Sequence, residues 1–393
     1  MSSSGASRGA IPPLLKNLNE RTVLETIRDG APISRAEISR RAGISKPTVS
    51  LALKALLDAG LVRETPHEPD GPTYGAVYFE PVPDAALVVG LDLGARFLRS
   101  AVCDLRGVIR ARQDIELRPP AAEAALDVVP SLLASLLATT GLEPDLVDAV
   151  IVGAPGVVDS RSGTVRVTHL PELDGRAFGR ELSERLSLPV TLENDVNLAA
   201  LGEQWLGVAR GVDDFVFLSV GTGLGAGLVL HGELHRGHHG AAGEVDYALI
   251  GLGQEVDPSA DAVSALASTL AAGGATSLES PFDVRSVFAA ARGGDAVAQA
   301  VVDEDARRIA LHICAVGAVA DVELAVLGGG LGANGDLLLA RVRSLLAEWL
   351  PYPPRVEVSG LGEAAVLTGA LAVGRRAALD NVFANRAPKP AAV

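Results

Sequence analysis

The chain has little cysteine and lacks long apolar runs, and both shortages exclude classes of protein. Its 393 residues include 2 cysteines, Cys103 and Cys314, too few for a disulfide framework or a four-cysteine zinc site. No segment approaches the roughly 18–20 uninterrupted apolar residues that cross a bilayer. The N-terminus also lacks an apolar signal core followed by a small-residue cleavage site. These absences predict a cytoplasmic protein that is neither secreted nor inserted into a membrane.

The composition is that of a folded chain with an uneven distribution of charge. Hydrophobic residues make up 48% and charged residues 21%, and about 150 residues per domain predicts two or three domains. The net charge is −14, yet residues 1–63 hold 10 Lys/Arg against 5 Asp/Glu, and the remainder holds 24 against 43. A small basic part on a large acidic body is expected when one domain contacts phosphate backbone and the other does not.

The basic N-terminal part carries the signals of three short helices. Asn19 is expected to cap the first helix and Gly30 to end it. Ser34 and Glu37 form a capping box for a second helix, which ends where Gly43 supplies a left-handed turn. These signals predict a helix of moderate length followed by a short one.

A third helix and two strands complete a winged helix-turn-helix pattern. Ser45 caps the third helix, and Pro47 lies in its first turn, where a missing N–H costs little. Residues 61–64 and 77–79 can pair as strands around the loop 65–76, which would form a wing. The start of the third helix would then enter the major groove of DNA.

The DNA-binding interpretation assigns contacts to seven side chains. Candidates for base or phosphate contact are Ser45, Lys46, Thr48 and Ser50 at the third helix, with Arg35, Arg41 and Lys54 near the phosphate backbone. The alternative is a three-helix protein-interaction module with ordinary solvated arginines. Because capping, turn and charge agree, the sequence favours DNA.

From residue 87 onward, strands, glycine-rich turns and Ala/Leu-rich helices alternate, which indicates an α/β fold. Several predicted strands end in glycine or carboxylate turns, where open α/β sheets bind ligands. Two similar halves, beginning near residues 87 and 214, suggest an internal duplication with a cleft between two lobes.

The order of these blocks resembles that of one known family. The segments that carry the resemblance are NLNERTVLETI and AGISKPTVS near the N-terminus, then GLDLG, VGAPGVVD, LENDVN, SVGTGLGAG, GAAGE and VLGGGLG. Over about residues 17 to 380, the chain is similar to transcriptional regulators of the ROK family, a name that joins repressors, open reading frames and kinases.

The resemblance implies a winged helix-turn-helix domain followed by a two-lobed α/β body of the actin-like ATPase/sugar-kinase fold. The expected boundaries are a flexible tail at 1–16, the winged helix at 17–80, the effector and oligomerisation body at 85–380 with lobes at 85–213 and 214–380, and a flexible tail at 381–393.

The resemblance also implies a sugar site. Asp195 matches the general base of the family's kinases, which takes a proton from the attacking sugar hydroxyl. Asn194 and Glu244 match residues that hydrogen-bond the sugar, and the turn of Gly153, Pro155 and Gly156 lies where the backbone packs against the ring. Carboxylates and an amide suit a polyol, because they satisfy hydroxyls that burial would leave unpaired.

The phosphate loops depart from the family pattern. The matching positions are Asp92, Gly94 and Arg96 in the first loop, Gly221, Thr222 and Gly223 in the second, and Gly329 and Gly330 in the third. The family's first loop reads Asp-x-Gly-Gly-Thr, whereas Ala95 and Arg96 replace its last two residues here. Phosphoryl transfer depends on positioning, so we expect no catalysis and no bound ATP, although Arg96 could hold the phosphate of a sugar phosphate.

The family's zinc motif is also missing. Asp246 and Tyr247 replace its Gly-His pair, and no cysteine lies nearby in the sequence. His235, His238 and His239 lie close together in sequence, but their spacing does not fit one helix face. We therefore predict no metal and no cofactor.

The sequence as a whole predicts a sugar-responsive transcriptional regulator of carbohydrate-related genes, more specifically a repressor. Its expected partners are double-stranded operator DNA, a sugar or sugar-phosphate effector, and further copies of the chain in a homodimer or tetramer on a palindromic site. One alternative is an active ATP-dependent sugar kinase fused to a DNA-binding head. Another is a regulator whose sugar site has decayed and which responds to a protein partner.

Overall fold

A computed structural model describes residues 13–66, 76–159, 162–168 and 170–386 of the chain. The head consists of α1 (Pro13–Gly30), β1 (Ile33–Ser34), α2 (Arg35–Ala42), α3 (Lys46–Asp58), β2 (Val62–Thr65) and β3 (Tyr78–Pro81). Its three strands form an antiparallel sheet in the order β1-β3-β2. The predicted winged helix-turn-helix is confirmed.

The helix caps of the head follow the sequence signals. Ser34 Oγ accepts a hydrogen bond from the backbone N of Glu37 at 3.3 Å, and Ser45 Oγ accepts one from that of Thr48 at 3.4 Å. Gly43 has the predicted left-handed backbone, with φ of 66°. The carboxylate of Glu37, however, pairs with arginines of α2 and does not complete the capping box.

The first helix starts earlier than predicted. It begins at Pro13, so residues 13–16 are helical and Asn19 is an interior residue, not a cap. Proline is well suited to a first helical turn because its missing N–H has no intrahelical partner there. Lys16 then pairs with Glu20 at 3.8 Å one turn later. Residues 1–12 of the predicted tail lie outside the described residues.

The wing is formed by β2 and β3. Glu64 lies opposite Phe79 in this antiparallel pair, and the ring of Phe79 is buried in the core of the head. The pairing confirms the two predicted strands, with bounds shifted by one or two residues. Positions 67–75 of the predicted loop lie outside the described residues.

The first lobe is a five-stranded sheet with helices beside it. Its elements are β4 (Leu87–Leu93), β5 (Phe97–Asp104), β6 (Ile109–Glu116), α4 (Ala121–Thr140), β7 (Val147–Ala154), β8 (Val157–Val158), β9 (Val165–Arg166), α5 (Phe178–Leu186), β10 (Val190–Asn194) and α6 (Asp195–Leu206). The sheet order is β10-β7-β4-β5-β6. Strands β4, β7 and β10 are parallel, whereas β5 and β6 are antiparallel to their neighbours.

The second lobe repeats this topology. Its elements are β11 (Phe215–Val220), β12 (Leu224–Leu230), β13 (Glu233–Leu234), α7 (Ala260–Ala271), α8 (Val284–Arg292), α9 (Ala296–Ala320), β14 (Leu324–Gly328), α10 (Gly329–Gly332), α11 (Gly335–Trp349) and β15 (Arg355–Val358). The sheet order is β13-β12-β11-β14-β15, with β11, β14 and β15 parallel. The matching order and directions confirm the predicted duplication.

The last helix, α12 (Ala365–Arg386), returns to the first lobe. A Cβ added at Gly90 of β4 would lie 3.1 Å from the side chain of Leu371, and one at Gly374 would lie 2.2 Å from that of Val88. The predicted division at 214–380 therefore assigned α12 to the wrong lobe, and 381–386 is helix, not tail. The error arose because an Ala-rich helix carries no signal for the sheet on which it packs. Residues 387–393 lie outside the described residues.

Two glycines let α6 and α12 cross with their backbones in contact. A Cβ at Gly202 would lie 2.3 Å from the carbonyl oxygen of Ala365, and a Cβ at Gly369 would meet that of Leu198. Since α6 begins at Asp195, this crossing fixes the position of the Asp195 side chain. The head joins the same assembly, because Val23 of α1 belongs to one hydrophobic core with Val88 and Leu371.

Among the described residues, one helix is long and apolar enough to cross a bilayer by length and composition, namely α4. Half of its residues are buried inside the fold. Its apolar side chains, such as Leu126 and Val129, pack in the core beneath the first sheet. It is therefore a core helix of the first lobe.

Candidate functional site

A cleft of about 610 Å³ lies between the two lobes. Parallel strands β7, β10, β11 and β14 end at its wall, as expected for a ligand site in an open α/β fold. Of the predicted residues, those that line it are Pro155, Gly156, Asn194, Asp195, Gly221, Thr222, Gly223, Glu244, Gly329 and Gly330. The predicted sugar residues other than Gly153 thus share one cavity with the second and third glycine loops.

Asp195 is the first residue of α6 and faces this cleft. One carboxylate oxygen, Oδ1, accepts from the backbone N of Val196 at 2.8 Å. A carboxylate at a helix N-terminus is stabilised by the unpaired N–H groups and by the helix dipole. The hydrogen bond to Val196 therefore fixes the carboxylate of Asp195 at the wall of the cleft.

Asn194 lines the cleft and also makes two hydrogen bonds that hold the surrounding backbone in place. Its Oδ1 accepts from the backbone N of Asn197 at 2.9 Å and so caps α6, while its Nδ2 donates to the carbonyl of Gly156 at 3.0 Å. The amide keeps one further proton and one lone pair for a ligand. Asn194 thereby fixes the distance between the turn at Gly156 and the helix that carries Asp195.

Glu244 supplies the second carboxylate of the cleft. It follows Gly243, whose φ is 98° and whose added Cβ would overlap the carbonyl of Ala226, so only glycine fits there. Burial, together with the neighbouring carboxylates of Asp246 and Asp195, raises the pKa of Glu244. A sugar hydroxyl reaching this group would meet an acceptor that is poorly solvated.

The first phosphate loop does not line the cleft. The backbone N of Gly94 donates to the carbonyl of Phe97 at 2.9 Å in a tight hairpin turn. Arg96 is 73% exposed and donates to Glu116 at 2.8 Å, so it does not point to a ligand of the cleft. The turn is held by local pairing with β6, which the family pattern did not reveal.

Arg99, which sequence reasoning missed, lines the cleft instead. Its guanidinium bonds Asp92 Oδ2 at 3.3 Å and Glu363 Oε2 at 3.0 Å. Burial and the nearby charge of Asp195 raise the pKa of Asp92 to about 7, against the opposing effect of Arg99. The predicted hairpin of β4 and β5 could have indicated this ion pair, because Arg99 lies directly opposite Asp92 in it.

Gly153 is not part of the cleft wall. A Cβ there would lie 2.7 Å from Val366 and 3.0 Å from Leu198. The glycine therefore lets β7 approach α6 and α12 closely, which is a packing role. Its place in the motif suggested a sugar contact, but Gly153 lies inside strand β7, before the turn residues Pro155 and Gly156 that line the cleft.

A buried glutamate behind Asn194 was also missed. Glu193 accepts from the side chain of Asn197 at 3.0 Å and from Nε of Arg236 at 2.6 Å. This network ties β10 and α6 to the segment after β13. A Glu-Asn-Asp run suggests three ligand groups, whereas the alternation of a strand turns Glu193 to the opposite face.

The three histidines that lie close together in sequence lie at the surface. His235, His238 and His239 are exposed, and the rings of the last two are 4.5 Å apart in an edge-to-face contact. Within the described part of the chain, no three His, Cys, Asp or Glu side chains are grouped to hold a metal ion. The absence of a metal stays a prediction.

The predicted DNA-binding residues lie on the outer face of α2 and α3. Lys46 and Lys54 are exposed on α3, as is Arg35 on α2, and none of the three forms an ion pair with another described residue. Arg41, in contrast, donates to Glu37 at 2.6 Å. The hydroxyls of the remaining three candidates are engaged locally: Ser45 bonds Thr48 at 2.8 Å, and Ser50 donates to the carbonyl of Lys46 at 2.9 Å.

Comparison with known proteins agrees with this architecture. The sequence pattern of the ROK family matches residues 88–377, and that of the MarR family matches residues 17–71. The chain is 26% identical over 384 residues to a xylose repressor of Caldicellulosiruptor bescii, covering 92% of this chain and 96% of that protein. It is 30% identical over 318 residues to a glucokinase of Streptomyces coelicolor, covering 74% of this chain and 98% of that one.

A solved structure shares the whole arrangement. A ROK family transcriptional regulator, described as a homologue of the E. coli MLC protein, aligns with a TM-score of 0.79 at 24% identity. The alignment covers 95% of this chain and 99% of that one, so head and body recur in the same order. On its sequence and its fold, the chain belongs to the ROK family.

Proposed function

We propose that the chain is a transcriptional repressor of carbohydrate-related genes. Its winged helix binds operator DNA, its cleft binds a sugar or sugar derivative, and sugar binding lowers operator affinity. One observation carries this proposal: the helix that starts at Asp195 in the cleft packs along α12, and α12 shares a core with α1 of the head. A ligand that moves α6 can therefore change the position of the head, because the movement is transmitted from α6 to α12 and from α12 to α1.

The chemistry of the cleft supports a hydroxylated ligand. Asp195 and Glu244 are acceptors, and the turn at Gly156 offers backbone groups to the same cavity. Acceptor oxygens in a partly enclosed cavity suit a ligand with several O–H groups, because each buried hydroxyl needs a hydrogen-bond partner. Since Arg96 points away, a phosphate on the effector would have to be held by another residue.

We further propose that the body is catalytically inactive and needs no cofactor. The first loop is a closed hairpin turn, and Arg99, which lines the adjacent cleft wall, pairs with Asp92 and Glu363. Phosphoryl transfer requires accurate positioning of the nucleotide, and a displaced loop removes most of the rate. On this proposal the protein acts in the cytoplasm as a homodimer or tetramer, because a two-fold assembly reads a palindromic operator.

The function is tested by measuring DNA and sugar binding together. Operator sequences are selected from random duplex DNA with the full chain, and affinity is then followed by fluorescence anisotropy with free sugars and sugar phosphates. We expect one sugar class to weaken operator binding at least tenfold. Tight operator binding that no sugar changes would overturn the sensor proposal and favour the decayed-site alternative.

Asp195→Asn is expected to weaken sugar binding about 10- to 100-fold, because a hydrogen bond to a charged group contributes about 1.5–3 kcal/mol. The sugar that raises the melting temperature of the parent protein should no longer do so at the same concentration. Asp303→Asn, at an exposed residue of α9 outside the cleft wall, serves as control. An unchanged response of Asp195→Asn would place the sugar elsewhere.

The second candidate function is an ATP-dependent sugar kinase. It is favoured by the second and third glycine loops, which line the same cavity as Asp195. A coupled assay of ADP release with a sugar panel decides between the two. Turnover that disappears in Asp195→Asn would establish a kinase and contradict our proposal of an inactive body.

Lys46→Ala is expected to weaken operator binding and to reduce its salt dependence by about one unit of slope, because each phosphate contact releases about one counterion. Arg41→Ala is the matched comparison: its guanidinium is paired with Glu37, so the change in slope should be smaller. Anisotropy titrations at four salt concentrations measure both. Equal slopes for Lys46→Ala and the parent protein would show that α3 does not face the phosphates.

A further inference from the structure

A second cavity, of about 800 Å³, lies between the head and the body. It is bounded by α1, the end of α6, the turn and strand around β13, and α12. None of the cleft residues described above lines it. Its most distinctive feature is five arginines: Arg21, Arg28, Arg236, Arg375 and Arg376. We call this cavity the arginine groove.

Ion pairs hold most of the arginines of the arginine groove. Arg21 pairs with Asp380 at 2.8 Å and with Glu25 at 3.1 Å, and Arg376 pairs with Glu233 at 3.5 Å. Arg28 pairs with its exposed neighbour Asp29 at 2.9 Å. Arg236 pairs with Glu193 at 2.6 Å, so four of the five arginines have a carboxylate partner.

Arg375 lacks any carboxylate partner among the described residues. Its guanidinium lies over the indole of Trp205, 4.8 Å from the ring centroid, and its Nε is buried without a hydrogen-bond acceptor. Burial and the like charge of Arg28 lower the pKa of Arg375. A half-buried guanidinium that an aromatic ring holds in place and that has no ion-pair partner among the described residues is preorganised for an anion.

We propose that the arginine groove binds a small polyanion with at least two phosphate or carboxylate groups, which fixes the head against the body. The guanidinium fork binds either anion with two parallel hydrogen bonds. A cavity of about 800 Å³ is large enough for a metabolite. Arg28 belongs to the head and Arg375 to the body, and their like charges repel each other. An anion bound between the two guanidinium groups would be attracted to both and would remove this repulsion.

The arginine groove also contacts the network behind the sugar cleft. Arg236 lines the groove and donates to Glu193, which bonds Asn197 of α6. Trp205 near the end of α6 lines the groove, whereas Asp195 at its beginning lines the cleft. The two sites are therefore separate but share one helix.

The test measures anion binding to the full chain at constant ionic strength. Melting temperature and calorimetric titration are recorded with pyrophosphate, fructose 1,6-bisphosphate, citrate and inorganic phosphate. We expect stabilisation by polyanions and a Kd at least tenfold weaker in Arg375→Gln and in Arg28→Gln, with partial recovery in Arg375→Lys. Arg355→Gln, an exposed arginine paired with Glu323, should match the parent.

Two further readouts separate this site from the sugar cleft. Hydrogen exchange in α1 should slow when the polyanion binds, because the anion bridges α1 to α12. Asp195→Asn should keep the full polyanion response, so a failed sugar response and a failed polyanion response are distinguishable. A bisphosphate effect without a citrate effect would identify phosphate esters as the ligand class, and the reverse would identify carboxylates.

Three results would overturn the proposal. The first is a stabilisation that is equal in the parent, Arg375→Gln and Arg28→Gln, which would be an ionic effect. The second is no stabilisation of the parent by any of the four anions. The third is tight binding without any change of exchange in α1, which would show that the anion does not join head and body.

Discussion

Glu203→Ala is expected to lower the free energy of unfolding by about 4 kcal/mol, a large part of the stability of a typical domain. Glu203 is 0% exposed, near the end of α6. Its oxygens accept from the backbone N of Val208 at 2.9 Å and from that of Leu361 at 3.1 Å, and also from the hydroxyl of Ser359. Alanine would leave these donors buried without partners, each at about 1–3 kcal/mol.

The effect should extend beyond the local hydrogen bonds. Glu203 joins the end of α6 to the segment between β15 and α12, and α6 and α12 cross at Gly202 and Gly369. Loss of the carboxylate also creates a cavity in a close-packed crossing, which adds to the destabilisation. The crossing positions Asp195, so the variant should bind sugar more weakly even below its melting temperature.

Urea unfolding and thermal melting measure the loss. Glu203→Gln should be about half as destabilising, since its amide keeps one acceptor oxygen for two of the donors. Glu184→Ala, an exposed glutamate of α5, should change stability by less than about 0.5 kcal/mol. A Glu203→Ala protein as stable as Glu184→Ala would show that the donors find other partners.

The features that sequence predicted well are set by neighbours in the chain. Ser34 and Ser45 each cap the helix that follows by accepting a hydrogen bond from the backbone N three residues downstream, and Gly43, with a left-handed backbone, ends α2. Such contacts depend on the local backbone alone, so residue type and spacing suffice. The same holds for the wing, whose two strands follow one another in the chain and pair antiparallel.

The placement of Asp195 and Glu244 in one cleft depended on the family resemblance. They lie on different lobes and 49 positions apart in sequence, and no local pattern predicts that they meet. Asp195 follows the end of β10 in the first lobe, whereas Glu244 lies in the segment after β13 in the second lobe, and both line the cleft between the lobes.

The errors concern contacts between distant segments. Gly153 was assigned to a ligand because it stands in a turn motif, but the close approach it permits is to Leu198 and Val366. Arg96 was assigned to phosphate, but the register of β5 and β6 pairs it with Glu116. Neither partner can be read from spacing, because both depend on packing of whole elements.

Asp305→Asn is expected to stabilise the protein at pH 8 by about 4 kcal/mol. Asp305 is 0% exposed in α9, and neither carboxylate oxygen has a hydrogen-bond partner among the described residues. Burial raises its pKa to about 8 from an ordinary value of 3.8, although Arg308 opposes the shift. The folded protein therefore binds a proton that the unfolded chain releases near pH 4.

The direction of the pH dependence follows from this difference. The stability contribution of Asp305 is complete below pH 4, declines as the pH rises toward 8, and stays constant above it, because then both states are ionised. Asparagine has the shape of the protonated acid but never ionises in either state. The advantage of the variant should therefore grow from nothing at pH 4 to its full value near pH 8.

Asp303→Asn is the matched control, since Asp303 lies two residues away on the same helix and is exposed. Its stability relative to the parent should not change over the same pH range. Urea unfolding at pH 5, 6.5 and 8 measures both variants. If Asp305→Asn and Asp303→Asn give the same pH profile, Asp305 is ionised in the folded state throughout, which would require α9 to contain a compensating contact. Growing stabilisation in Asp305→Asn alone would show that burying an unpaired carboxylate lowers the stability of this lobe at neutral pH.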